Sequence, residues 1–379
     1  MNKRNLMIAI LSMSTLTVMA GAAISPALNA ISLHFSDASP TAIKMLITLP
    51  CFFIILTSLN FQRLSRVMGV KSMALLGISL YLIGGLGAAF CPNITLVFIF
   101  RAILGVGVGI IMPLSTGLLS FYFDKSQQQK LLGYSSAMNN LGGVIATIIS
   151  AYLATLGWNY SFAVYLLGLL VGILVVLYVP NDHIKAESSK LENDELKKIA
   201  PYLFTIFLVM LAYMNMPTNL AVVALSQDLI APEKLGFLMS INAVIAFIFG
   251  FILTRILKFL GGTSKYVGFG LLALGLFLLG IATTLPLALF GQSLLGFSMG
   301  IVVPMINSQI ALNLKPAKVT TAMALMSASL YLGQFFAPIV VDVILKVFNL
   351  TAVGAPFIVA SIIAFILLIY SIKVKYIIR

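Results

Sequence analysis

Apolar runs bounded by charged, glycine or proline residues follow one another along almost the whole chain. They lie near 5–31, 42–60, 71–90, 94–119, 130–155, 160–179, 200–226, 235–256, 265–284, 286–312, 319–345 and 351–372. At about 1.5 Å per helical residue each run can cross a hydrocarbon layer about 30 Å thick. Barrel strands would instead show alternating segments of about ten residues. The helix is the other form that satisfies its own backbone within lipid. The pattern predicts an all-α membrane protein with twelve transmembrane helices.

Composition agrees with that reading. Of 379 residues, 61% are hydrophobic and 9% charged, and mean hydropathy is +1.10. A soluble domain carries about 25% charged residues, and disorder needs low hydrophobicity. The net charge of +13 would suggest a polyanion partner in a soluble chain. With the N-terminus inside, however, all but Lys44, Lys234, Lys346 and Arg101 of the 23 basic residues fall in cytoplasmic segments. The excess orients the chain with both termini in the cytoplasm, as a multi-pass protein of the cell membrane (a bacterial inner or cytoplasmic membrane), and calls for no nucleic acid. The first run is too long for a cleaved signal and is read as a retained span. Cys51 and Cys91 show no metal or disulfide spacing.

One connection is long and polar. Asn181 to Lys198 holds five of the ten acidic residues and divides the spans into six and six. The expected organisation is an N-terminal six-helix bundle over 1–180, a cytoplasmic linker over 181–199 and a C-terminal six-helix bundle over 200–379.

The second half repeats the first at an offset of 191 residues. Pro26 pairs with Pro217, Asp37 with Asp228, Gly105 with Gly296, Gly109 with Gly300, Pro113 with Pro304, Gly142 with Gly333 and Ala146 with Ala337. One gapless offset through five spans marks a duplicated six-helix unit. Two like-oriented pseudosymmetric bundles with a solute path between them are the plan of a rocking transporter.

Candidate chemistry is sparse. Arg101 is the sole cation placed within a span, on nearly one stripe with Gly105 and Gly109 and ahead of Pro113. An arginine there requires water, an anion or carbonyl groups, or it must snorkel to the surface. Its repeat mate is neutral Gln292, ahead of Gly300 and Pro304. Uncharged polar residues within spans, expected to line a largely apolar cavity or to bridge helices, are Asn139, Asn140, Tyr213, Asn215, Asn219, Asn242, Gln292, Asn307, Gln309, Tyr331 and Gln334. Asp342 is the one acid placed in a span and is the candidate proton carrier, with Lys346 one turn on. Asp37 and Asp228 fall in outer loops, where capping or gating is expected.

The whole chain resembles the major facilitator superfamily. The segment from Arg101 through Gly105 and Gly109 to Pro113 is similar to that family's fourth-helix arginine-glycine motif. The turn after the second span retains Gly69 and Lys71 of the family's loop, with Arg66 where an acid is usual, and a weaker copy runs from Arg255 to Lys265 with Gly261. The fifth span resembles the helix-five motif of drug antiporters at Gly133 and Gly142, with Ala146 and Thr147 in place of its final Gly-Pro. The resemblance implies a twelve-helix alternating-access carrier, often proton-driven, for which a monomer suffices.

No phosphate-binding Gly-x4-Gly-Lys-Ser/Thr loop, HExxH or GxSxG occurs, so no enzyme, metal or cofactor is expected. The expectation is a secondary transporter that exports small amphipathic or hydrophobic compounds in exchange for protons, with the bilayer as its other partner. The alternative is uptake or facilitated diffusion of a small organic anion with Arg101 as counter-charge. Minor alternatives are a lipid scramblase or a transporter-like sensor.

Overall fold

The computed structural model describes residues 3–183, 191–314 and 316–373, and among them there is no strand. Fourteen α-helices follow in chain order: α1 Lys3–Ala22, α2 Leu28–His34, α3 Pro40–Val67, α4 Val70–Gly87, α5 Ile94–Tyr122, α6 Lys125–Leu156, α7 Leu167–Tyr178, α8 Asn193–Tyr213, α9 Asn215–Ser226, α10 Leu235–Leu260, α11 Ser264–Gly280, α12 Leu285–Leu312, α13 Pro316–Val347 and α14 Ala355–Lys373. They form twelve stretches long and apolar enough to cross a membrane, as the run pattern requires. The first span is α1 and α2 joined through a 3₁₀ turn at Ser25–Ala27, and the seventh is α8 continued by α9. Helix α8 opens at Asn193, inside the stretch read from charge as connection.

Chain contacts divide the protein into two compact units. The first comprises Met1–Glu187 with Pro232–Gly236, and the second Ser188–Ala231 with Phe237–Arg379. Each carries a strongly apolar outer surface. On α7, Leu169, Leu170, Ile173, Val176 and Leu177 are exposed, and on α14 so are Ile362, Phe365, Ile366 and Ile369. These stripes recur at helical spacing and would be unstable in water, but they suit hydrocarbon.

Helix starts follow local chemistry. Ser39 accepts from the Ala42 amide at 3.2 Å and Asn93 from the Leu96 amide at 3.0 Å, so each caps its helix. Prolines inside the spans do the opposite, because each removes one N–H and frees the carbonyl four residues earlier. Pro113 frees Gly109 O in α5, and Ser58 of α3 donates to it at 3.2 Å. Pro50 frees Leu46 O in α3, with a consequence taken up below.

Glycines set how closely helices approach. A Cβ on Gly105 would lie 2.6 Å from Pro50 O and 2.9 Å from Phe53 Cβ, so α5 meets α3 backbone to backbone. Gly296, its repeat mate, holds the same place in the second unit, where a Cβ would lie 2.6 Å from Asn242 O of α10. Gly109 meets Thr57 and Gly300 meets Phe249, again repeating the α5–α3 contact as α12–α10. Gly142 of α6 lies on Thr15 of α1, and Gly333 of α13 lies on Phe207 of α8. The duplication read from sequence is thus a duplication of close contacts.

Gly105→Ala is expected to destabilise the folded protein by about 1–3 kcal/mol through forced separation of α3 and α5. Gly117→Ala, with nothing within 4 Å of the added Cβ, should be neutral or mildly stabilising, by up to about 1 kcal/mol. Thermal unfolding of the two variants in detergent checks the difference.

Candidate functional site

Arg101 sits in the second turn of α5 and is fully buried, at 0% exposure. Its Nε donates to Leu46 O at 2.6 Å, Nη1 to Tyr165 Oη at 2.6 Å and Nη2 to Ala20 O at 2.8 Å. Tyr165 in turn donates to Ala20 O at 2.8 Å. Each acceptor has a structural cause. Leu46 O is the carbonyl freed by Pro50. Ala20 O loses its helical partner because the chain tightens after α1, where Ile24 N bonds Gly21 O instead.

The guanidinium therefore joins α1, α3, α5 and the 3₁₀ stretch Tyr160–Leu166 through neutral oxygens. Three of its five donors are spent in this way. It does not snorkel. Removing a charge from water costs several kcal/mol, offset here by short charge-assisted bonds to backbone dipoles that would otherwise lie bare in the membrane. The Tyr81 ring packs edge-on to Tyr165 at 5.3 Å.

The second unit lacks this cage. Gln292 is also 0% exposed, yet neither amide atom has a partner. At the same offset Ile241 stands where Pro50 stands, so no carbonyl is freed there. Leu211, the mate of Ala20, has its carbonyl taken by Asn215 Nδ2 at 2.9 Å, with Ala212 O at 3.2 Å. Asn215 lies at the junction of α8 and α9, and its Oδ1 is buried without a partner.

The remaining polar candidates fall into small groups. In the first unit Thr17 donates to Asn139 Oδ1 at 2.7 Å and Ser14 meets Ser135 at 2.7 Å, so Asn139 belongs to the α1–α6 seam beside Gly142. Ser150 extends that seam by donating to Ala23 O. Asn140, next along α6, is half-buried.

In the second unit Asn242 Nδ2 donates to Tyr213 Oη at 2.6 Å, tying α10 to the end of α8. Asn219 Nδ2 donates to Asn215 O at 3.0 Å. Gln334 Nε2 reaches Met210 Sδ at 3.8 Å, in the α8–α13 seam beside Gly333. Asn307 Oδ1 is buried without a partner, and Gln309 is buried on the same helix. Tyr331 and Asp342 are half-buried on α13, with Lys346 exposed at its end.

The structure thus unites Tyr213 with Asn242 and Asn215 with Asn219, whereas Arg101 and Asn139 belong to the other unit. Among the described residues no three His, Cys, Asp or Glu side chains gather as metal ligands.

Sequence reasoning missed Tyr165, one of several aromatics in the sixth apolar run. The available signal was Pro50, since a proline inside a span announces a bare carbonyl that some donor must meet. It also missed Lys318, whose Nζ lies 2.7 Å from Glu195 and 2.9 Å from Glu192, so the start of α13 is tied to the start of α8. Lys71 and Lys265 have equivalent tasks. Lys71 Nζ donates to Val176 O near the end of α7, and Lys265 Nζ to Ser371 O near the end of α14, both at 2.6 Å. Each cation completes the last turn of a helix. The side chain of Arg255, where the weaker copy of the loop begins, lies outside the described residues.

Residues 7–214 and 202–376 match the Major Facilitator Superfamily, and the chain belongs to that family of transporters. A putative glycerol-3-phosphate transporter 3 of Arabidopsis thaliana is 34% identical over 128 residues, covering 32% of this chain and 25% of that protein. The multidrug transporter protein MdtP of Bacillus subtilis is 26% identical over 118 residues, covering 31% of this chain and 21% of that protein. The aligned part is therefore about a quarter of each relative. Among solved structures, that of a mutant of the nucleoside transporter NupG superposes with a TM-score of 0.81 at 12% identity, over 97% of this chain and 99% of the other. That likeness is one of fold.

Arg101→Met is expected to cost about 1–3 kcal/mol, because it leaves the Leu46 carbonyl bare and takes one partner each from Ala20 O and the Tyr165 hydroxyl, which keep only each other. The same change at its repeat mate, Gln292→Met, should be neutral or stabilising, because it removes a buried amide that has no partner. Parallel thermal unfolding curves of the two variants provide the check.

Proposed function

We propose that the chain is a secondary transporter that works by alternating access and exports small amphipathic or hydrophobic compounds in exchange for protons. One observation carries this reading. The cation buried in the spans of the first unit is occupied by backbone carbonyls and a phenol, so the polar groups left to meet a solute are amides and hydroxyls. Asn215, flanked in sequence by Met214 and Met216, together with Asn242, Asn307 and Gln292 of the same unit, suits a neutral or amphipathic compound better than a small hydrophilic anion. The name of the Bacillus relative and the likeness of the fifth span to the drug-antiporter pattern support export.

Asp342 is the proton carrier in this reading, since the chain places its other nine acids outside the apolar runs. The competing uptake of an organic anion would require the solute to reach Arg101, which is fully buried with three of its donors engaged.

Reconstitution into liposomes with an imposed pH gradient tests the proposal. Fluorescent amphipathic dyes should accumulate against their gradient in vesicles holding the unaltered chain. Asp342→Asn should abolish that accumulation while leaving dye-for-dye counterflow intact. Unchanged proton-driven accumulation in Asp342→Asn removes Asp342 from the mechanism, and dye movement indifferent to the pH gradient removes proton coupling.

A further inference from the structure

At one end of the first unit the start of α4 faces the end of α7. Helix α4 follows Met68 and Gly69 directly, and neither side chain can cap it. Its first amides are met from elsewhere. Val70 N donates to Asp182 O at 2.8 Å, and Ser72 N and Oγ each approach Asn181 Oδ1 at 3.4 Å. Both acceptors belong to the segment that leaves α7.

In the opposite direction Lys71, in the first turn of α4, donates to Val176 O of α7 at 2.6 Å. The exchange explains the glycine. A Cβ on Gly69 would run into the Asn181 side chain, its Cγ only 2.9 Å away, and Asn181 could yield only by turning away from Ser72. Asp182 is held from a third side, since Tyr122 at the end of α5 donates to its Oδ2 at 2.7 Å. Burial, and then the carboxylate itself, push the Tyr122 phenol well up from its usual value, so it stays a donor at neutral pH.

We infer that α4 and α7 exchange their helix caps, and that Asn181 and Asp182 are positioning residues that hold the starts and ends of α4, α5 and α7 as one body during transport. The positioning role rests on the transport reading above, whereas the cap exchange does not. The connection between the bundles therefore begins as a structural part of the first one, in which Asn181 supplies the cap that Gly69 lacks. Asp182 adds a negative charge near the positive end of α4, and Lys71 a positive charge near the negative end of α7.

The test is a change of sign between two backgrounds. Gly69→Ser in the unaltered chain should displace Asn181 and speed hydrogen exchange of the amides at 70–73, by roughly tenfold for a lost cap. Asn181→Ala should do the same. In the double variant the introduced hydroxyl has room to cap α4 itself, so protection should return toward the original. Asp182→Ala and Tyr122→Phe should have equal effects that do not add.

Gly69→Ser being harmless in the unaltered chain, or equally harmful in both backgrounds, overturns the cap exchange. For positioning, dye transport should fall in Asn181→Ala and recover in the double variant. Lost protection with an unchanged transport rate overturns that role. If the unaltered chain moves no dye, the transport reading fails and positioning fails with it, while exchange protection still decides the caps.

Discussion

A carbonyl freed by proline within a hydrocarbon layer has no water to turn to, and much of the first unit is arranged around that fact. Pro50 bares Leu46 O, the tightened turn after α1 bares Ala20 O, and Pro113 bares Gly109 O. Arg101, Tyr165 and Ser58 answer them from neighbouring helices. Prolines in the spans and the polar side chains opposite the carbonyls they free are therefore one feature. The prolines are tolerated because the freed oxygens are met, and Arg101 can be buried because those oxygens are there to receive it.

This dependence accounts for the asymmetry between the halves. Duplication kept what sets helix spacing: Gly105 and Gly296 against the second span of each unit, α3 and α10, and Gly142 and Gly333 against the first, at α1 and α8. It did not keep the proline at Ile241, and the cation is absent from the same half, where Gln292 stands. A guanidinium without freed carbonyls would be an unpaired charge in lipid, far more costly than an unpaired amide. Carbonyl and cation are kept or lost together, whereas the glycine contacts are indifferent to charge.

Much of this was legible beforehand. Twelve spans, the duplicated unit and the close-packing glycines follow from hydropathy and spacing alone, because lipid permits few backbone forms and only small residues let helices touch. Arg101 was legible as a cation within a span that must either find polar partners or snorkel to the surface. That its partners are Leu46 O, Ala20 O and Tyr165 was not, since residues separated by 55, 81 and 64 positions meet only once the helices are packed. Gln334 and Asn139 read as groups that line a cavity or bridge helices, and which side chain each one meets, Met210 and Thr17, emerges only with the packing. The stretch from Asn181, a solvated tether by its charge, begins by capping α4 and later opens α8 as a helix at Asn193.

The amino-acid order by itself determined the family, the number of spans and the repeat. Each is a local or periodic property that lipid enforces segment by segment. Which polar atoms meet was decided by the tertiary structure alone. A hydrogen bond depends on positions to within a few tenths of an ångström, and those are set by how several helices bend and seat against one another.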